Sequence, residues 1–299
     1  MNWATMAMVS AALMGVASVV DSHLLSKRLP SMRAFMLPVS FIHLAYSTIW
    51  IYMYPLPEDL GIVPMLVMIG SGVSRTIAVF IMLYILKKEE VSRVVPIIYT
   101  SPIFVAIMAG PLLGEHLYYL QWIAIGIVVA GAILITVEKN PAGAQGVGKM
   151  FLMLFIASLL WAVSDICRKY ALDFMSPWNG FCISTFVMAG TFLLVSLRPV
   201  IIKQWRDVAH KKHIFGFVLL DETASIIGIV LQFMAMEKGP VSLVSTIIGS
   251  RPVFVALYSI ILSFIVPGFL IRFPNKKVMA LRLVAIAMIF AGISIIYTT

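Results

Sequence analysis

Charge is scarce in this chain. Only 12% of its 299 residues are Asp, Glu, Lys or Arg, about half the share found in a soluble domain. An ordinary water-facing surface is therefore excluded. Cysteine is rarer still. The two present, Cys167 and Cys182, lie in or beside apolar runs, with no spacing that suggests a metal site or a disulfide framework. No Asn-x-Ser/Thr glycosylation acceptor occurs. There is no G-x-x-x-x-G-K-[ST] loop, so the chain has no phosphate cradle with which to spend ATP. H-E-x-x-H and G-x-S-x-G are absent as well. The sequence thus calls for no enzyme activity, no cofactor and no resident metal.

What it has in abundance is apolar sequence, 61% of residues. Ten runs are each long enough to cross a hydrocarbon core, which takes about 20 residues of helix. They lie near 3–25, 34–54, 62–86, 91–113, 117–137, 149–172, 178–201, 213–236, 241–266 and 278–297. Turn residues separate them: Pro55, Pro57 and Gly61, then Gly114, then Gly239-Pro240. The net charge is +9, but the basic residues sit in short loops and no aromatic-basic motif accompanies them, so nucleic-acid binding is not expected. The first run is long and has no basic segment ahead of it, unlike a cleavable signal. A compact multi-pass protein of a prokaryotic plasma membrane fits these features.

One stretch occurs twice. Val91–Ala106 reads VSRVVPIIYTSPIFVA and Val241–Ala256 reads VSLVSTIIGSRPVFVA, with nine of sixteen positions identical at a constant offset of 150. Chance does not produce this, even in a chain so rich in aliphatic residues, and the repeat divides the chain into two related units. The expected halves are residues 1–139 and 149–299. The flexible Asn140–Gly148, rich in Gly and Ala, serves as linker. Five crossings per half is an odd number, so the second half starts on the opposite side from the first. The expected fold is an all-α integral membrane protein of ten transmembrane helices arranged as two inverted five-helix repeats. Inverted repeats characterise secondary transporters, whose substrate site lies near the midplane between the halves.

The Lys and Arg residues divide unevenly. Seventeen fall in the odd-numbered loops and three (Arg168, Lys169 and Lys238) in the even-numbered loops and termini, while Arg75 and Arg251 lie inside helices. The positive-inside rule then places both termini outside.

Charges within apolar runs need a reason, because an ionisable side chain near the bilayer centre is expensive. Arg75 is in the middle of the third run, and Asp221 and Glu222 are in the middle of the eighth, its repeat partner. Asp221, Ser225, Gly228 and Gln232 form one polar stripe, with Glu222 rotated off it. Two roles are open for these charges: an Arg75–Asp221/Glu222 ion pair joining the halves, or a polar substrate or proton site. Arg251 precedes Pro252 within the repeated stretch, where Ser101 stands in the first copy. It can satisfy carbonyls freed by the proline or meet an anionic ligand. Pro96, Pro102 and Pro252 are the expected helix breaks. His43, on one face with Ser40 and Ser47, is either a packing residue or a proton relay. Trp161 and Tyr99 pack, or stack on a substrate. Asp165 aligns with Ser158, Trp161 and Arg168, and Asp21 with Met14 and Ser18, all toward helix ends.

These features together resemble the EamA-type members of the drug/metabolite transporter superfamily. The resemblance rests on the two five-helix repeats, the S-x-x-x-x-x-x-x-x-x-P-x-F-V-A pattern of the repeated stretch, Gly114-Glu115 after the fourth run and Leu160-Trp161-Ala162 in the sixth. It spans the chain and implies transport, with substrates as varied as amino acids, nucleotide sugars, sugar phosphates, drugs and lipids. The chain departs from the pattern in three places. Gly15 stands where the first repeat would carry its tryptophan, Pro267–Pro274 replaces the second Gly-Glu, and Arg251 is an addition.

The expected function is secondary transport of a small polar, anionic or amphipathic metabolite by alternating access. Arg75, Asp221, Glu222 and Arg251 are expected at the centre, with His43, Tyr99, Trp161, Ser225 and Gln232 around them. Protons or a counter-substrate would drive it. A flippase for a lipid or lipid-linked substrate is the first alternative and a non-transporting scaffold or sensor the second. The expected partners are a small-molecule or lipid-like substrate and the lipid bilayer, with the protein a monomer or a homodimer.

Overall fold

The computed structural model describes residues 1–86, 94, 97–136, 147–208, 211–265 and 276–298. Among them are twelve helices and no strand: α1 (Trp3–Lys27), α2 (Met32–Met53), α3 (Ile62–Leu86), α4 (Ser101–Leu113), α5 (Tyr119–Thr136), α6 (Val147–Ala171), α7 (Pro177–Ser196), α8 (Pro199–Asp207), α9 (Lys211–Lys238), α10 (Val241–Ile248), α11 (Arg251–Ile265) and α12 (Lys276–Thr298). Eight spans are long and apolar enough to cross a membrane, one of them being α10 and the start of α11 taken together; α4 and α5 are shorter apolar helices. The linker lies outside the described residues except for Val147 and Gly148, which open α6.

Local chemistry sets the ends. Asn2 caps α1 through its side chain, Ser31 caps α2 and Ser176 caps α7, each accepting from a backbone N–H of the first turn. Pro177 and Pro199 open α7 and α8, where a missing N–H costs nothing. The seventh apolar run was expected to continue to 201. Instead Pro199 holds Arg198 extended and starts the separate helix α8. That helix lies on α2: Trp205 donates to the Ala34 carbonyl, and Ser31 Oγ donates to Gln204 Oε1 at 2.8 Å.

The repeated stretch is broken in both copies. α10 ends at Ile248, Gly249-Ser250 form a turn, and α11 starts at Arg251 with Pro252 next. In the first copy Tyr99-Thr100 form the turn, and α4 starts at Ser101 with Pro102 next. The turns fall at the same repeat position. Proline at the first or second position of a helix explains the restart. Pro96 lies outside the described residues.

Four packed pairs organise the molecule: α1 on α9, α3 on α6, α2 on α7 and α5 on α12. Exchanging the halves converts the first pair into the second and returns each of the others to itself. The α5–α12 contact makes this visible. A Cβ on Gly131 would lie 2.8 Å from Ile289 Cγ1 and 2.9 Å from the Ala285 carbonyl; one on Gly292 would lie 2.6 Å from Val128 Cγ2 and 2.9 Å from the Ala124 carbonyl. Each contact is the mirror of the other, and their register runs antiparallel. Small residues let the backbones approach closely where lipid supplies no hydrophobic drive. Large apolar side chains such as Leu66, Val73 and Ile77 on α3 face outward, as suits helices solvated by hydrocarbon.

The Gly114-Glu115 pair joins the halves. Gly114 ends α4 in the left-handed conformation. Glu115 then reaches α10, accepting from Val241 N at 2.6 Å, Ser242 N at 3.3 Å and Ser242 Oγ at 2.7 Å. A carboxylate there satisfies orphan N–H groups and meets the positive end of the helix dipole.

Candidate functional site

Two buried polar centres lie inside the bundle. The first is built on the antiparallel α3–α6 pair. Arg75 Nη1 lies 3.5 Å from Asp165 Oδ1, and its guanidinium carbon is 4.8 Å from the centre of the Trp161 ring. Arg168, one turn along α6, places its own Nη1 3.7 Å from the same oxygen. It donates through Nε to Ser71 Oγ at 3.2 Å and covers the Phe233 ring of α9 at 4.8 Å. Ser245 of α10 donates to the other Asp165 oxygen at 3.0 Å. One carboxylate thus answers two guanidiniums, leaving a net positive centre. The ion-pair distances exceed a hydrogen bond, and among the described residues Arg75 Nη1 and Arg168 Nη1 have no hydrogen-bond acceptor. Both arginines line a narrow opening of about 30 Å³, room for one or two waters, with Gly72, Ser184, Thr185 and Ile229. Unused N–H donors beside hydroxyl groups suit an anion.

The second centre is built on α1 and α9, with α2 and α11 beside them. His43 Nε2 and Glu222 Oε2 share a hydrogen bond of 2.7 Å, and both residues are buried. One turn away on α2, Tyr46 and Thr223 join their hydroxyls at 2.9 Å. Carboxylate oxygens of Asp21, Asp221 and Glu222 all lie within 4.8 Å of one another. Arg251 donates to Ser18 Oγ through Nε at 2.8 Å and also through Nη2. It lies within electrostatic reach of both Asp21 and Asp221.

Arg75 therefore does not meet Asp221 or Glu222. The two helices that carry these residues are repeat partners, and each packs on the first helix of the opposite half, α3 on α6 and α9 on α1. The carboxylate opposite Arg75 comes from α6, and the acids of α9 face Asp21. Glu222 is buried as fully as its neighbour because α9 has a second partner on that side, α2 with His43. Arg251 sits at the helix break and donates to a hydroxyl of α1. Trp161 lies against Arg75. Gly15 is hemmed in by α11, since a Cβ there would lie 2.7 Å from Phe254 Cβ, so no tryptophan fits. Tyr99 is half-buried in the turn ahead of α4, within electrostatic reach of Arg251. Ser225 is half-buried on α9. Gln232 is 2% exposed, and its Oε1 has no hydrogen-bond partner among the described residues. It lies three helical turns beyond Asp221.

Asp165, Arg168, Asp21 and Ser18 are the residues that sequence reasoning undervalued. Their stripes, Ser158/Trp161/Asp165/Arg168 and Met14/Ser18/Asp21, were the available signal. Arg168 in particular counts among the loop charges by sequence, yet it is 4% exposed within α6. Lys169 beside it donates to the Met236 and Glu237 carbonyls at the end of α9.

The sequence pattern of the EamA-like transporter family matches this chain twice, over residues 1–137 and 148–298. Among solved structures, one titled "Crystal structure of protein" superposes with a TM-score of 0.70, covering 98% of this chain and 94% of its own at 15% identity. That likeness concerns the fold alone. No curated protein sequence matches this one.

Proposed function

The chain belongs to the EamA-like transporter family, and from that premise we propose that it is a secondary transporter of a small anionic metabolite, working by alternating access with the Arg75–Asp165–Arg168 centre as its substrate site. The observation that carries this reading is the pair of guanidiniums with unused donors on the rim of one opening. Asp165 acts as the resident counter-ion. An arriving carboxylate or phosphate takes up the free Nη1 donors and relaxes the hold on Asp165, which also restrains α10 through Ser245. Trp161 presents a flat apolar surface beside the charge and favours an amphipathic substrate over a bare inorganic ion.

The transport cycle proposed here uses ten crossings in two inverted halves, residues 1–139 and 149–299, in the plasma membrane with both termini outside. Support for inversion comes from the exchange of helix pairs between the halves and from the antiparallel α5–α12 register. Support for the orientation comes from the loop charges, and it strengthens once Arg168 is assigned to the interior.

A thermal-shift screen on purified protein tests the site, using carboxylates, phosphate esters, amino acids and a lipid-like amphiphile. Bound ligand raises the melting point by mass action. Anions are expected to stabilise the wild type, and Arg75→Ala and Arg168→Ala to weaken that binding about tenfold or more, equivalent to ~1.4 kcal/mol. Stabilisation by neutral or cationic compounds alone, or unchanged anion binding in both folded variants, defeats the proposal.

A further inference from the structure

The second centre has no part in holding an anion, because it is predominantly acidic. Three carboxylates, from Asp21, Asp221 and Glu222, converge within 4.8 Å inside the bundle. Around them, α1 contributes Asp21 itself with the Ser18 hydroxyl, and α2 contributes His43 and Tyr46. α7 packs on α2 and α9, and its Cys182 thiol is turned away to the Ser47 carbonyl of α2. α11 contributes Arg251, and α10 has no ionisable side chain. Among the described residues, Arg251 lies within electrostatic reach of Asp21 and Asp221, and His43 is bonded to Glu222. Asp221 is 4% exposed, and among the described residues its oxygens meet no donor; its hydrogen-bonding neighbour is the Asp21 carboxyl, which can donate only when one of the two is protonated. His43 is 2% exposed, and its Nδ1 is unpartnered in the same sense.

Such a cluster is not stable with every carboxylate ionised. Like charges this close disfavour joint ionisation, and burial penalises each charge further. A proton is the smallest remedy and needs no extra volume. The geometry points to a proton-binding site in which Asp21 and Asp221 share a proton and the His43–Glu222 pair holds a second exchangeable one. No covalent bond between heavy atoms changes: a proton passes from water to a carboxylate oxygen, and it leaves by the same oxygen or through His43.

The site is tied to the first centre by two elements. Helix α9 runs from Asp221 and Glu222 to Ile229 at the opening and Phe233 beneath Arg168, a span of about 18 Å from Asp221 to Phe233 at the standard helical rise. The broken helix does the same on a shorter path. Ser245 on α10 is bonded to Asp165, Arg251 on α11 is bonded to Ser18 beside Asp21, and the Gly249-Ser250 turn lies between them. Occupancy at either centre therefore bears on the same two helices.

Infrared difference spectroscopy of the full chain in lipid vesicles, titrated from alkaline to acidic pH, reads the carbonyl stretch of protonated carboxylic acids. It requires no substrate, so its outcome is separate from that of the anion screen. The expected result is a titrating carboxylic-acid band that shrinks in Asp221→Asn and in Glu222→Gln. His43→Gln retains all three carboxylates and is expected to move the band's midpoint by about one pH unit. It also serves as the readout if either carboxylate variant fails to fold. A spectrum with no titrating carboxylic acid overturns the proposal. So does a band unchanged in all three variants, or one erased at constant pH by sodium or calcium chloride, which would make the occupant a metal cation.

Discussion

Replacing Asp165 with Asn tests the first centre most directly. Asn keeps the size of the side chain and an acceptor for Ser245, so what is lost is the charge that balances Arg75 and Arg168. Both guanidiniums lie within 3.7 Å of one Asp165 oxygen. They are thus at most about 7 Å apart, and at an effective dielectric of about 20 their mutual repulsion is of order 2 kcal/mol. The attraction that offset it disappears as well. Breaking a buried pair by removing one partner generally costs about 3–5 kcal/mol. The lower part of that range is expected here, because the opening admits water to the stranded cations. About 3 kcal/mol corresponds to a fall in melting temperature of roughly 6–10 °C for a protein of this size class. The sharper measurement is the double variant Asp165→Asn/Arg168→Gln, which removes one of the two stranded charges. It should melt above Asp165→Asn alone, a non-additivity diagnostic of direct coupling. A single variant within about one or two degrees of wild type, or a double variant less stable than the single, refutes the account of Asp165 as the shared counter-ion.

Two further outcomes follow from the architecture. Glu115→Ala removes the carboxylate that caps α10 from the other half and should cost about 1–2 kcal/mol in thermal or denaturant unfolding, with Glu115→Gln intermediate; an unchanged melting point refutes the cap. In a Cys167→Ser/Cys182→Ser background, a cysteine added at the N-terminus should react with a membrane-impermeant maleimide in intact cells, and labelling only after permeabilisation places the termini inside.

The helix pairs carry a functional consequence. α3 of the first matched repeat packs on α6 of the second, and α9 of the second on α1 of the first, so neither centre exists within one repeat alone. Movement of one half against the other necessarily disturbs both. The chemistry of the two centres has diverged. The first is rich in guanidinium and the second in carboxylate, although the helices that build them correspond.

The sequence by itself determined the class of the protein and its duplication. Hydrocarbon solvation requires long apolar helices, and such runs are visible one residue at a time. A repeat offset of 150 needs only the letters. Proline and glycine marked the breaks, because their restrictions are local. The buried charges were also visible individually: Arg75, Asp221, Glu222, Arg251 and His43 each stood out against an apolar background. Their partners were not. Whether Arg75 meets an acid of α9 or of α6 depends on which helices pack together, and helical periodicity fixes only the face on which a residue lies. The tertiary structure decided that α3 takes α6 and α9 takes α1. It thereby turned Asp165 and Arg168, which by sequence lay near a helix end, into the core of one centre, and drew Asp21 into the other. Glu115 shows the same division. Its place after a helix-ending glycine is legible in the sequence, but its hold on α10 spans 126 residues of chain and exists only because the halves meet there.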